Sequence, residues 1–304
     1  MQNVSVKYGS YVAVEGLNLS VEGGEILGLL GPNGAGKSTA MKAISGQITN
    51  YTGRIEIEGN EIKTLGRKLA QYVGIVPQEY SFLYDFQVEE NLRFFGELAG
   101  IGKTELDERI RQLLEQLQLK EFAKKPAKDL SGGYKRLLNI AISILHNPKI
   151  LLMDEPTVGL DPEIRGKIWK VIRSLKENGM TIVLTTHYLD EAKELCDRIA
   201  IVNRGKMLAF GAPWQIVKEF GGRSVAVLQI DSDVENSLNA LEPEDGVRIT
   251  ISRRMISIIC KREQLIRTVG RIAKELEKGG KRILDSVVKE PDLDEAFENA
   301  VGIR

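Results

Sequence analysis

One stretch, GLLGPNGAGKST (Gly28–Thr39), constrains the fold of this 304-residue chain more than any other. Its spacing is G-x-x-x-x-G-K-[ST], with Gly31, Gly36, Lys37 and Ser38 at the fixed positions. The apolar run EILGLL (Glu25–Leu30) leads into it, and a helical pattern over Lys37–Ser45 leads out. Strand, glycine loop and helix in that order build a cradle for phosphate. Gly31, Gly34 and Gly36 let the backbone wrap inward so that its N–H groups meet an anion. The helix start adds its positive end. The Lys37 ammonium is placed to reach the β- and γ-phosphates, and the Ser38 hydroxyl is placed to ligate Mg²⁺.

The surrounding pattern predicts an α/β fold. Strand candidates are EILGLL, RIEIEG, VGIVP, KILLMD and TIVLTTH. The runs ending at Leu30, Asp154 and His187 are almost wholly apolar, as strands covered by helices on both faces are. Helical patterns recur at Pro162–Lys176 and Leu189–Cys196, and residues 85–147 read as a helical subdomain without strands. FGG (Phe220–Gly222) reads as a linker, dividing a 1–222 domain from a 223–304 domain. The second runs strand, helix (VENSLNALE, Val234–Glu242), two strands, helix, strand, helix, which predicts a small α+β domain of ferredoxin-like order. With 42 basic and 42 acidic residues the chain has no global field to attract nucleic acid. No apolar run approaches the ~20 residues that span a bilayer. MQNVSVKYGS lacks the apolar centre of a signal peptide, so a cytoplasmic protein is expected. Cys196 and Cys260, far apart, read as reduced packing residues.

More chemistry lies at strand ends. ILLMDEP places Asp154 at the carboxyl edge of a sheet, where it suits Mg²⁺, and turns Glu155 toward a different face, where it suits an attacking water. Gln78 closes VGIVPQ and His187 closes TIVLTTH; the first suits Mg²⁺ or water, the second a γ-phosphate or water. His146, before Asn147 and Pro148, reads as a helix C-terminal cap. LSGGYKRLLNIAISIL opens an apolar helix (Tyr134–Leu145) with Ser131, Gly132 and Gly133. Alone, that opening fits either a flexible turn before a capped helix or a backbone made to approach an anion.

In sequence order these motifs resemble those of the nucleotide-binding subunit of ABC transporters, over the first 222 residues. GPNGAGKS matches the P-loop, VPQE the Q-loop, LSGGY the signature, ILLMDEP the Walker B strand, VGLD (Val158–Asp161) the D-loop and TTH the H-loop. The resemblance implies ATP and Mg²⁺ as cofactors. Gly31, Pro32, Asn33, Gly34, Ala35, Gly36, Lys37, Ser38, Thr39 and Gln78 would contact ATP, and Tyr8 would stack on adenine. Ser38, Gln78 and Asp154 would surround Mg²⁺, with Glu155, His187 and Lys37 catalytic. Ser131, Gly132, Gly133 and Asp161 would meet the nucleotide of a second subunit packed head to tail, in a homodimer or a paralogous heterodimer. Tyr134 departs from the family, whose signature has glutamine there.

The resemblance also implies a separate transmembrane permease subunit, with this chain bound at the cytoplasmic face. Six of the chain's 18 aromatic residues (Tyr80, Phe82, Tyr84, Phe86, Phe94 and Phe95) follow Gln78 closely. Tyr80–Phe86 are expected to dock the permease, and Phe94 and Phe95 to be core. EPDLDEAF (Glu290–Phe297) resembles the ending of ATPases that serve drug, antibiotic or polysaccharide exporters, and the second domain is expected to dimerise. The competing reading is a soluble ABC ATPase of DNA repair, chromosome organisation or translation. Against it stand the single P-loop, the missing coiled coil and the balanced charge.

Overall fold

The longest apolar runs pair with one another. In the computed structural model, which describes residues 1–234 and 244–302, six strands form one sheet. Their order is Lys206–Gly211, Arg198–Asn203, Ile26–Leu30, Thr181–Thr186, Ile150–Asp154 and Val73–Val76. All neighbours run parallel except the antiparallel edge hairpin of Arg198–Asn203 with Lys206–Gly211. Every residue of Ile26–Leu30 and of Thr181–Thr186 is buried, which accounts for their unbroken apolar character. Leu27 lies opposite Val183 on one side and Arg198 on the other. Leu27, Leu29, Leu152, Val183 and Ala200 share a core with Ala40, Met41 and Ile44 of the helix Lys37–Ile44.

RIEIEG joins neither this sheet nor a single strand. Tyr51–Arg54 pairs with Gln2–Tyr8 in a three-stranded antiparallel sheet, and Glu56–Ile57 forms a small hairpin with Asn60–Glu61. Between Asp85 and Asn147 the α-helices are Val88–Leu98, Lys103–Gln116 and Gly132–Ile144. No helix among the described residues is long and apolar enough to cross a membrane.

The chain divides into two units, Met1–Pro213 and Trp214–Arg304. The division precedes the FGG segment, because Phe220, at the end of the helix Pro213–Phe220, accepts a hydrogen bond from the Asn299 side chain. The second unit contains a four-stranded antiparallel sheet, ordered Arg248–Ser252, Met255–Cys260, Ser224–Ile230, Ile283–Lys289. That is the order a β-α-β-β-α-β chain produces. Leu265, Ile272 and Leu276 of the helix Arg262–Lys278 pack on Ala226, Leu228, Ile256 and Ile258. The helix expected at VENSLNALE lies outside the described residues after Val234.

Candidate active site

Parallel strands deliver their following loops to one edge of the sheet, so the segments after Leu30, Val76, Asp154 and Thr186 share it. After Leu30 the loop turns into the helix Lys37–Ile44, whose N-cap, Gly36, has φ 105° and no side-chain cap. Its first-turn amides therefore remain donors for an anion. Gly34, at φ 79°, would carry a Cβ into open space, whereas one on Gly31 or Gly36 would strike the carbonyl oxygens of Val202 and Ala13. Lys37 is buried, and its Nζ donates to the carbonyls of Gly31 (2.7 Å) and Pro32 (3.1 Å). Burial lowers its pKa, while the nearby carboxylates of Glu155 and Asp154 oppose that shift.

Facing this loop, the Asp154 carboxylate accepts from the Ser38 hydroxyl at 3.2 Å and from the Thr185 hydroxyl at 2.5 Å, both at Oδ1. Glu155 takes a left-handed backbone, φ 47°, which for a non-glycine residue costs on the order of 1 kcal/mol. Thr185 holds it there: the Glu155 N–H donates to the Thr185 carbonyl at 3.1 Å and to its hydroxyl at 3.0 Å. The Glu155 carboxylate meets His187 Nδ1 at 3.2 Å. Behind them the buried Glu191 accepts from Thr157 (2.7 Å) and from the Trp169 indole (3.1 Å), tying the segment after Glu155 to the helix after His187. Thr185, Thr157 and Glu191 escaped the sequence reading. The signal for the first was a polar pair ending an otherwise apolar strand.

The helix after LSGG begins at Gly132, two residues earlier than the periodicity suggests. Ser131 is its N-cap in extended conformation, with no cap bond from its hydroxyl. The two glycines differ. A Cβ on Gly132 would make ordinary contacts, 3.5 Å from Leu160, but one on Gly133 would lie 2.5 Å from Ile164 Cγ2. Helix packing requires Gly133 to lack a side chain and makes no such demand of Gly132. Tyr134, the departure from the family pattern, packs its ring against that of Phe122, with centroids 4.2 Å apart and planes tilted by 43°. Asp161 caps the helix Pro162–Glu177 through the Ile164 N–H at 3.0 Å. Among the described residues, neither Ser131, Gly132, Gly133 nor Asp161 hydrogen-bonds to the loop before Lys37, to Asp154 or to Glu155.

Buried polar residues join that helix to the segment bearing Gln78. Arg136 donates to the carbonyls of Pro77 (2.8 Å) and Gln78 (2.9 Å) and lies over the Tyr80 ring. Asn139 accepts from the Ser81 N–H (3.0 Å) and hydroxyl (2.9 Å), and Ser143 donates to the Ile75 carbonyl at 2.6 Å. The Tyr80 hydroxyl reaches the Gly132 carbonyl at 3.2 Å. The Gln78 side chain itself is exposed.

Comparison with known proteins decides the family. Residues 14–158 match the family described as ABC transporter. The chain is 36% identical over 302 residues to the linearmycin resistance ATP-binding protein LnrL of Bacillus subtilis (strain 168), covering 99% of this chain and 97% of that one. It is also 33% identical over 296 residues to the daunorubicin resistance ATP-binding protein DrrA3 of Streptomyces coeruleorubidus, covering 97% and 93%. The chain belongs to the ABC transporter family. It is an ATP-binding subunit. Its fold superposes on cbiO1 of Clostridium perfringens, part of the ABC transporter complex cbiONQ, with TM-score 0.67 and 28% identity, covering 72% of this chain and 89% of that one.

The donor set of the subunit fits ATP and Mg²⁺. Uncapped amides and the Lys37 ammonium suit phosphate, while the Ser38 hydroxyl and the Asp154 carboxylate already adjoin. Among the described residues no three His, Cys, Asp or Glu side chains gather as a metal site. Tyr8 is half exposed and pairs across a tight turn with the exposed Tyr11. That hairpin continues to Ala13, whose carbonyl abuts Gly36.

Three expectations need correction. Phe82 is buried, at 5% exposure, between the rings of Tyr80 and Tyr84, so it belongs to the core rather than to a docking surface. Phe94 is 43% exposed, because the buried stripe of its helix runs through Val88, Asn91, Leu92 and Gly96 on another side. His146 does not cap the signature helix, whose C-cap is Leu145. Instead its imidazole is half-buried with Nε2 unpartnered, and burial lowers its pKa against a hydrogen bond with the Val73 backbone.

Proposed function

We propose that this subunit hydrolyses ATP at composite sites shared with a second ATPase subunit, identical or paralogous, and thereby drives export through a separate permease at the cytoplasmic face of a membrane. The observation that carries the reading is Glu155, held by Thr185 in a left-handed turn with its carboxylate against His187 and beside the Ser38–Asp154 pair. Lys37 and the loop amides would hold the β- and γ-phosphates of ATP, with Tyr8 against adenine. Ser38, Asp154 and Gln78 would hold Mg²⁺, which supplies charge neutralisation across the phosphates. Glu155 would orient and deprotonate water, and His187 would steady both Glu155 and the γ-phosphate. Among the described residues the Ser131 hydroxyl makes no cap bond to the signature helix, which suits phosphate presented by a partner.

Relatives named for linearmycin resistance, daunorubicin resistance and Nod factor export support the exporter reading over a soluble ABC ATPase of repair, chromosome organisation or translation. Glu155→Gln tests the chemistry. ATP binding should persist, turnover should fall about a hundredfold or more, and ATP-bound dimers should accumulate in sedimentation. Near-normal turnover would refute the role of Glu155. Mixing Ser131→Arg with Lys37→Ala chains should restore one competent site per dimer, and complete inactivity of every mixture would refute sharing.

A further inference from the structure

The sheet of the second unit has two edges of unlike character. At Arg248–Ser252 the exposed side chains are Arg248, Thr250 and Ser252, all polar. At Ile283–Lys289 six of seven residues are exposed, including Leu284 (62%), Val287 (61%) and Val288 (51%). This strand pairs only with Ser224–Ile230, so its outer N–H and C=O groups have no ladder partner among the described residues. Long, flat, apolar edges recruit further strands, and proteins that must avoid this place charges or proline along them. Here proline first appears at Pro291, beyond the strand, and the exposed charges along it are one of each sign, Asp285 and Lys289.

We infer that this edge pairs antiparallel with the same strand of a second copy, joining two four-stranded sheets into one of eight. The sequence ILDSVVK is complementary to itself about Val287. In a two-fold antiparallel pairing centred there, Val287 meets its own copy and Ser286 meets Val288. Asp285 then meets Lys289 on both sides of the axis. Each opposed-charge or apolar pair adds roughly 0.2–1 kcal/mol to a ladder. Among the described residues the Asp285 carboxylate bonds only the adjacent Ser286 N–H and Lys289 has no ion pair, so both charges are available. Unlike the nucleotide-bridged dimer proposed above, this contact requires no ATP.

The test is sedimentation of the full chain without nucleotide, in a Lys37→Ala background that prevents nucleotide-dependent pairing. A concentration-dependent dimer is expected. Val287→Lys should render it monomeric, and Thr250→Lys on the opposite edge should leave it dimeric. Lys289→Asp should weaken association about tenfold, and adding Asp285→Lys should restore it. A single Val287→Cys should form an intermolecular disulfide on mild oxidation, since paired strands place opposed Cα atoms about 4.5–5.5 Å apart. A monomer at all concentrations, a dimer indifferent to Val287→Lys, or no charge-swap rescue would each overturn the inference. Pairing with a membrane partner's strand would show as a monomer that loses its permease on Val287→Lys, and would overturn it too. Failure here leaves the ATPase proposal untouched, since that rests on Glu155 and on nucleotide.

Discussion

Thr185 shows how one small side chain can set two catalytic groups. Its hydroxyl donates to Asp154 and accepts from the Glu155 N–H, while its carbonyl takes the same amide. Losing the hydroxyl removes one bond to a charged group and loosens a backbone that is otherwise strained, at about 1–3 kcal/mol. Thr185→Val keeps shape and β-branching, so the strand should remain folded. Its kcat should fall tenfold or more while the KM for ATP changes by less than about threefold, as steady-state kinetics would read. A fall in affinity with unchanged kcat would place Thr185 in the fold alone. Gly133 and Gly132 make a second residue-scale contrast: packing demands glycine at the first and not at the second.

At the scale of elements, the decisive feature is the polar seam between the signature helix and the segment Ile75–Ser81. Arg136, Asn139 and Ser143 recur on one side of an otherwise apolar helix, and all are buried. Desolvation lowers the Arg136 pKa, and its Nε has no partner among the described residues, so two carbonyls and the Tyr80 ring carry its compensation. The seam ties the backbone at Gln78 directly to the signature helix. Arg136→Met should therefore depress kcat more than ATP binding, with Arg136→Lys recovering part of it; equal loss in both variants together with a lower Tm would mean packing alone. The sequence made the helices, the long strands and the strand-end carboxylates legible, because period and apolarity are local. Partners were not legible. Nothing local says that Asn139 receives Ser81, that Thr185 seats Glu155, or that Phe94 falls outside the buried stripe. Tyr80, Phe82, Tyr84 and Phe86 carry one expectation, docking, but the fold buries Phe82 and leaves Tyr84 and Phe86 at 48% and 41% exposure.

For the whole molecule, those exposed rings are where the proposed permease is expected to seat, near the seam that bears on Gln78. The double change Tyr84→Asp, Phe86→Asp should keep Tm within a few degrees and leave the basal ATPase of the isolated subunit intact. Co-purification with the permease should be lost; unfolding would instead place both rings in the core. The sheet order has a further bearing, on how the chain is made. Ile26–Leu30, which carries the phosphate loop, lies between Thr181–Thr186 and Arg198–Asn203 and pairs with no strand nearer in sequence. A nascent chain thus exposes its glycine loop early but gives its strand no neighbour until Thr181–Thr186 has left the ribosome, and the second only with Arg198–Asn203. Translation products that end before Thr181 lack both neighbours of Ile26–Leu30 and should fail to retain ATP, as filter binding would read.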